Sequence, residues 1–349
     1  MRTLDFSSAS GSTELVALPA GTAACIGAFD GLHRGHQGLI ARARSVAPEV
    51  AVVTFEPRPA DVLSPDPSSA PPRLQTPRQR ERVCRQLGVD TLVVLRFDRD
   101  VAKMSPEAWA QAFLIDGLQP AHVVVGYDFH FGAKRAGGPR ELADLLAPVG
   151  VPVDVVEKIA EAHGPCAGEK LGSTAIRELV ARGEVERAGE LLGRLYAVAG
   201  VVEHGAARGR GLGYPTANVV SRSLHPSGGV YACVLTLFDD AGHEEVEHWP
   251  AVANLGSNPT FTGDQPGARQ TLEVHALDVD LGDRLYGREV EVAFVARLRD
   301  EQRFDGPAAL REAIAADIAA ARPLLTPSTL ARRNPGPILA AEPLPEPLR

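Results

Sequence analysis

The sequence predicts an α/β half followed by an all-β half that one helix closes. Three observations lead there. Short apolar runs alternate with helix-like stretches as far as Leu192, the rhythm of a mostly parallel sheet with helices on both faces. From Ala197 onward strand-like runs follow one another with no helix pattern between them, which predicts an antiparallel sheet or barrel. Near the end, Pro307 opens a helix with the apolar stripe Leu310, Ile314 and Ile318, and Pro323 stops it.

The elements of the first half read in order as follows. Ala23 to Ala28 is a buried strand, followed by the loop Phe29 to Gly35 and a helix to Val46. Val50 to Phe55 is a strand, and Ser64 to Pro72 an exposed loop rich in Pro and Ser. Gln79 to Leu87 is helical and Thr91 to Phe97 a strand. Ser105 caps a helix with Pro106 at its first position. His122 to Val125, Glu141 to Leu146 and Val151 to Val156 continue as strand, helix and strand. Ser173 to Arg182 is a helix with Ile176, Leu179 and Val180 on one face, and a second helix ends near Gly193.

In the second half, strands are expected over Ala197 to Val202, Gly229 to Phe238, Trp249 to Asn254, Thr271 to Val279 and Glu289 to Leu298. The segment from Thr326 to Arg349 is rich in proline and has no apolar period, so it reads as a disordered tail. With 349 residues, at roughly 150 per domain, two domains are expected. The boundary falls near Leu191 to Tyr196, giving domains over 1–190 and 191–325 and a tail over 326–349.

Composition removes several functional classes. Hydrophobic residues make up 44% and charged residues 23%, and the formal net charge is -8. A nucleic-acid-binding protein would ordinarily carry a basic surplus. Small anionic ligands remain compatible, since a local positive site does not need a positive total. The four cysteines, Cys25, Cys84, Cys166 and Cys233, form no C-x-x-C pair. They read as reduced thiols of a cytoplasmic protein, not as a zinc site or disulfide scaffold. The segment from Met1 to Ala20 lacks the apolar core of a signal peptide, and no apolar run approaches a membrane span.

Two segments carry chemistry. Phe29-Asp30-Gly31-Leu32-His33-Arg34-Gly35-His36 joins a buried strand to a helix, where an open α/β sheet places its ligands. The helix start offers free N–H groups and a positive dipole end to phosphate. His33 and His36 can donate hydrogen bonds to charge developing in a phosphoryl or adenylyl transfer, and Gly35 lets the backbone approach. The alternatives are that both imidazoles merely cap the helix or sit at its surface, or, with no third ligand in evidence, that they bind zinc.

The second segment, Gly205 to Asn218, includes Arg208, Gly209, Arg210, Gly211, Gly213, Pro215 and Thr216. It lacks the Gly-Lys-Ser/Thr ending of a P-loop, and no helix follows. Its glycines and arginines suit either a loop over phosphates or a plain Gly-rich turn. Thr216 and Asn218, two apart, share one side if they lie on a strand and could hold Mg²⁺ or phosphate together. In Thr271 to Ala276, Leu272, Val274 and Ala276 point inward, which leaves Glu273 and His275 on the other face.

These residues resemble those of the bacterial bifunctional riboflavin kinase/FAD synthetases. Ile26 to Gln37 resembles the family's opening H-x-G-H motif, and Gly172-Ser173-Thr174-Ala175-Ile176-Arg177 its later S-x-T-x-x-R-like segment, with Gly172 where the family has a further serine. Val53 to Pro59 resembles a strand-to-loop motif that often has His where this chain has Arg58. Gly126 to Gly132 is similar to a loop that lines the flavin and nucleotide cleft; Asp128 is its site candidate, while Phe129 and Phe131 are equally read as core. The run ending Pro215-Thr216-Ala217-Asn218 resembles the riboflavin kinase nucleotide motif, and Gly228 to Ala232, Asn254 to Phe261 and Leu272 to His275 match as well.

The resemblance implies an α/β Rossmann-like nucleotidylyltransferase domain, then an antiparallel β-barrel riboflavin kinase domain with a C-terminal helix. It implies that riboflavin is phosphorylated by ATP to FMN, and FMN adenylylated to FAD with release of pyrophosphate. His33 and His36 would serve the second reaction and Glu273 would be the base of the first. Gly27, Phe29, Asp30, Gly35, Asp128, Ser173, Thr174 and Arg177 would bind ATP or FMN in one site. Gly209, Gly211, Thr216 and Asn218 would do so in the other, with Thr216 and Asn218 on Mg²⁺. Two further readings are a chain with one degenerate half, the adenylyltransferase given Gly172, and a flavin-binding regulator or carrier. The latter predicts broken catalytic motifs. The oligomeric state is not readable from the sequence.

Overall fold

The computed structural model describes residues 1–6, 16–66, 69–157, 171–205, 211–256 and 271–335. Packing divides the chain into two compact units. The first runs through Met1–Pro71 and Val83–Ala160, the second through Pro72–Arg82 and Glu161–Gly336.

In the first unit, β1 (Arg2–Phe6), β2 (Thr22–Ile26), β3 (Glu49–Glu56), β4 (Thr91–Arg96), β5 (His122–Gly126) and β6 (Val153–Val156) form one sheet in the order β1-β4-β3-β2-β5-β6. Every pair is parallel. Successive side chains on a strand point to opposite faces, and here both faces are covered. Cys25, Val50, Val52, Leu92 and Val94 join Leu39, Ile40 and Ala43 of α1 (Arg34–Val46) in one core. Ala24, Ile26, Ala51, Val53, Val93 and Leu95 join a second core. That core includes Trp109 of α4 (Pro106–Ala110), Leu114 of its π-helical continuation Gln111–Leu118, and Leu142 and Leu146 of α5 (Pro139–Leu146). Two α-helices, α2 (Pro59–Leu63) and α3 (Pro77–Gln86), precede α4 in the chain, and the division between units falls inside α3. Burial on both faces is why the central strands read as unbroken apolar runs.

Strand order reverses at β2. The chain lays β3 and β4 to one side of it and returns to place β5 and β6 on the other. The loops after β2 and β5 therefore leave neighbouring strands at the topological switch point, where such sheets bind ligands. Strand β1 escapes the sequence pattern because it is a five-residue edge with no buried residue.

The second unit begins, after α3, with α6 (Ser173–Ala181) and α7 (Val185–Leu192). Then β7 (Tyr196–Glu203), β8 (Ala217–Val220), β9 (Gly229–Phe238), β10 (Glu245–Gly256), β11 (Thr271–Ala276) and β12 (Glu289–Arg299) form a closed antiparallel barrel, ordered β10-β11-β8-β7-β12-β9. The choice between open sheet and barrel is thereby decided. Closure demands tight approach at Gly200, where a Cβ would stand 2.3 Å from the Val220 carbonyl oxygen. The helix α8 (Pro307–Ala321) covers one side of the barrel, with Ile318 and Ala321 packed on the cluster of Val230, Ala232, Val234 and Ala293. Arg299 on β12 grips the buried Asp317 of α8 with two 2.8 Å hydrogen bonds.

The helices α6 and α7, which precede the boundary expected near Leu191 to Tyr196, pack with the barrel. Gly183, between them at φ +78°, has Ser227 and Tyr231 so close that a Cβ would clash with both. The segment from Thr326 is not a featureless tail. Thr326 caps α9 (Pro327–Ala331), accepting from Thr329 N at 3.2 Å. Leu325 and Leu330 pack on the barrel cluster, Arg332 O accepts from Leu195 N at 2.8 Å, and Arg333 pairs with Glu245 at 2.6 Å. Local tertiary partners override the proline-rich composition here; residues 336–349 lie outside the described residues.

Cys25, Cys84 and Cys233 are buried, and burial pushes the thiols of Cys25 and Cys233 well up, so neither is a ready nucleophile. Among the described residues no helix is long and apolar enough to cross a membrane.

The Arg299–Asp317 pair yields a stability test. Asp317→Ala leaves a half-buried guanidinium without its fork and should cost on the order of 3 kcal/mol. In a Trp109→Phe background, Trp249 fluorescence during urea unfolding reads the barrel. An unchanged midpoint would show that the apolar stripe alone holds α8.

Candidate active sites

The loop after β2 is built by a strained backbone. Phe29 (φ +47°), Gly31 (φ +95°) and Leu32 (φ +43°) all lie in the left-handed region. For Phe and Leu this is a costly conformation, kept only where the surroundings enforce it. Both side chains are fully buried. A Cβ on Gly27 would make only ordinary contact, 3.4 Å, with the Phe29 ring, so space does not force glycine there.

The loop delivers His33 to the N-cap of α1. Its Nδ1 accepts from His36 N at 3.4 Å. A ring that accepts at Nδ1 carries its proton, when neutral, at Nε2, and that N–H is a donor. His36, one turn on, stacks on His33 with ring centroids 3.7 Å apart and lies 5.0 Å from the Phe29 ring. The capping role read as an alternative for His33 is therefore real. Gly35 sits beside His36 in the first helical turn.

Asp30 is buried, as is the guanidinium that answers it. Arg58 Nη1 donates to Asp30 Oδ2 at 2.8 Å. Asp128 lies in the neighbouring loop after β5 and is exposed. Phe131 in that loop is core, packed against Trp109, and Phe129 stacks on it.

Ser173, Thr174 and Arg177 occupy the first turns of α6. Gly172 is the N-cap, so Ser173 is the first helical residue and not the cap. Gly172 is extended, and a side chain there would meet nothing within 4 Å. The departure from the family serine is thus not forced by backbone or space. Arg177 Nε donates to Pro72 O at 2.8 Å.

In the barrel, strand register assembles a second group. Asn218 on β8 lies directly opposite Glu273 on β11, and Glu273 directly opposite Asn254 on β10. Opposed residues share a face, so the three form a row, while the intervening Leu272 and Val274 are buried on the other side. The expected alternation on β11 holds. Thr216 precedes β8; together with Ala217 it lines a cleft partly open to solvent, with Leu235, Val274, Leu281 and Tyr286 among its walls. Glu273, not Thr216, is therefore the residue that strand register sets beside Asn218. Gly211 is exposed just before this segment, and Gly209 lies outside the described residues.

His275 was placed by the pattern but given no role. Its Nδ1 is 2.8 Å from Pro215 O, and because a carbonyl only accepts, the imidazole donates there. Asn218 Nδ2 fits against the Gly205 backbone, where a Cβ would overlap it. Arg58 and Asn254 were read only as parts of matching segments. Asp30, which pairs with Arg58, and Glu273, opposite Asn254, lie far off in sequence, so no local signal exposes these roles.

The comparisons with known proteins bear on both groups. Residues 16–169 match the family model of FAD synthetase, and residues 192–325 that of riboflavin kinase. The bifunctional riboflavin kinase/FMN adenylyltransferase of Pseudomonas fluorescens is 41% identical over 88% of this chain and 94% of its own length. The Escherichia coli K12 protein of that name is 38% identical, over 85% and 90%. The chain belongs to the bifunctional riboflavin kinase/FMN adenylyltransferase family. It phosphorylates riboflavin to FMN and adenylylates FMN to FAD, using ATP for both. A solved Streptococcus pneumoniae structure, described as a macrolide-efflux protein, superposes with a TM-score of 0.77 at 29% identity, covering 92% of this chain and 99% of that one.

For a riboflavin kinase/FMN adenylyltransferase, the two stacked imidazoles yield a selective test. His36→Ala should lower FAD formation from FMN by about 10²–10³ while riboflavin phosphorylation stays near normal. Initial rates of each step, with separated flavins, measure this. An equal fall in both activities of a folded variant would overturn the assignment of His36 to one reaction.

Proposed function

We propose that the two reactions run at two separate sites, with residues 1–190 serving adenylylation and 191–325 riboflavin phosphorylation. What supports the division is the difference between the two nucleophiles. FMN presents a phosphate already ionised at neutral pH, and its attack on the α-phosphorus of ATP, expelling pyrophosphate, needs no base. His33 and His36 donate to the charge that develops there. Gly27, Phe29, Asp30 and Gly35 shape the ATP loop around them, and Asp128 lines the flavin side. Ser173, Thr174 and Arg177 hold phosphate oxygens through hydroxyls, helix N–H groups and a guanidinium.

Riboflavin presents an alcohol, which does not ionise near neutrality. Glu273 accepts the hydroxyl proton as the oxygen attacks the γ-phosphorus and ADP leaves. The observation that carries this reading is the row Asn218–Glu273–Asn254, which sets a carboxylate between two amides on one barrel face. The Thr216 hydroxyl and the Asn218 amide oxygen are hard, neutral donors of the kind Mg²⁺ accepts beside nucleotide phosphates. Mg²⁺ held there would offset phosphate charge in the transition state. The glycine loop, Gly209 and Gly211 included, contributes N–H groups to the phosphates. The burial of Cys25, Cys84 and Cys233 agrees with reduced thiols in a cytoplasmic setting, and the net charge of -8 gives no support to a nucleic-acid partner.

Glu273→Gln keeps size and one acceptor but cannot take the proton. It should cost riboflavin phosphorylation about 10²–10⁴ in rate and leave adenylylation of supplied FMN intact. Normal phosphorylation by the purified variant would make Glu273 an ordinary solvated strand residue and leave the base unassigned.

A further inference from the structure

The strained loop after β2 has to be held by something outside itself. Three of its residues, Phe29, Gly31 and Leu32, sit in the left-handed region, and relaxation of any of them would swing His33 off the α1 N-cap. Asp30 lies in the middle of this run and is 6% exposed. A carboxylate buried to that degree is costly unless a cation and hydrogen bonds answer it.

Arg58 supplies both. Its side chain is as buried as that of Asp30, and its guanidinium spreads over three segments. Nη1 donates to Asp30 Oδ2 at 2.8 Å. Nε donates to Asp61 Oδ2 at 3.1 Å and Nη2 to Asp61 Oδ1 at 2.6 Å. Nη2 also donates to the Pro71 carbonyl at 2.7 Å. Asp61 is itself fixed, since Oδ2 accepts from Arg58 N at 3.3 Å at the start of α2. The planar fork of arginine can make this set of bonds; a lysine offers one point charge.

We infer that Arg58 is a positioning residue for adenylyl transfer, which acts through Asp30 to hold the loop that aims His33 and His36. The inference rests on the assignment of those histidines to FAD synthesis. Arg58 touches neither imidazole; its effect passes through the Asp30 carboxylate and the backbone between Phe29 and Leu32. Histidines that stabilise developing charge matter most in the transition state, and a misplacement of about 1 Å can cost roughly 10²-fold. Loss of the anchor should therefore lower kcat for FAD formation and change KM for ATP and FMN little.

The test uses the full-length chain, with FMN and ATP·Mg²⁺ as substrates and riboflavin phosphorylation as an internal control. Arg58→Gln should lower kcat of FAD formation about 10–100-fold, with KM values within a few-fold and phosphorylation unchanged. Arg58→Lys should fall between it and the wild type. The double variant Asp30→Asn/Arg58→Gln replaces the ion pair by a neutral amide pair of similar shape. It should recover much of the kcat lost by Arg58→Gln. Three results would overturn the inference: a wild-type kcat in Arg58→Gln, a loss confined to KM, or a double variant no better than Arg58→Gln. The last two would make Arg58 a direct substrate ligand. If Arg58→Gln does not fold, the comparison of Asp30→Asn with Arg58→Lys decides. Losses in kcat in both support the anchor, and wild-type rates in both refute it. Failure of the underlying assignment is separate: it would appear as a normal FAD rate in His36→Ala.

Discussion

A strand turns its side chains to alternate faces, and both halves of this protein are organised by that period of two. In the parallel sheet the period sends Cys25 and Val52 to one core and Ile26 and Val53 to the other. With both faces sealed, only the strand ends can meet a ligand. In the barrel the same period buries Leu272 and Val274 and leaves Glu273 in line with Asn218 and Asn254. A shift of one residue in the pairing of β11 would bury the carboxylate and expose the leucine. Register is thus protected by the core, and the site inherits that protection.

On the proposed two-site reading, the two halves solve different chemical problems with correspondingly different parts. Where the nucleophile is already an anion, the protein needs oriented donors, and the end of β2 would supply them through a helix N-terminus and two stacked imidazoles. Where the nucleophile is an alcohol, a proton acceptor is needed, and the carboxylate that the barrel sets between amides would serve. Each site is then steadied by a residue that does not take part in the chemistry. His275 holds the Pro215 carbonyl next to Thr216, and Arg58 holds Asp30. The strain at Phe29 and Leu32 is held in a loop whose side chains are both fully buried and whose Asp30 is anchored by Arg58.

The sequence disclosed those features that repeat along the chain. The buried strands of the first unit and the long barrel strands appear as apolar runs or alternations, and α8 as a stripe ended by proline. It was silent where structure depends on partners distant in the chain. β1 is an edge that owes its place to β4. The short strand β8 follows a proline and a glycine loop, which masks its two-residue period. The helix at Pro327–Ala331 is set by packing on the barrel. The histidine pair and Glu273 were found through motif resemblance, because their local chemistry alone also fits a cap and a solvated strand. The fork of Arg58 joins Asp30, 28 residues earlier, to Asp61 and Pro71, and no periodicity encodes such a junction.

The central claim is that the two reactions use separate residues, with free FMN passing between them. A complementation assay tests it most directly. Purified His36→Ala and Glu273→Gln proteins are incubated singly and as an equimolar mixture with riboflavin, ATP and Mg²⁺, and the flavins are separated over time. The account predicts that the first protein alone stops at FMN, that the second leaves riboflavin unconverted, and that the mixture forms FAD. A mixture that accumulates FMN without FAD, or either variant completing both steps alone, would contradict it.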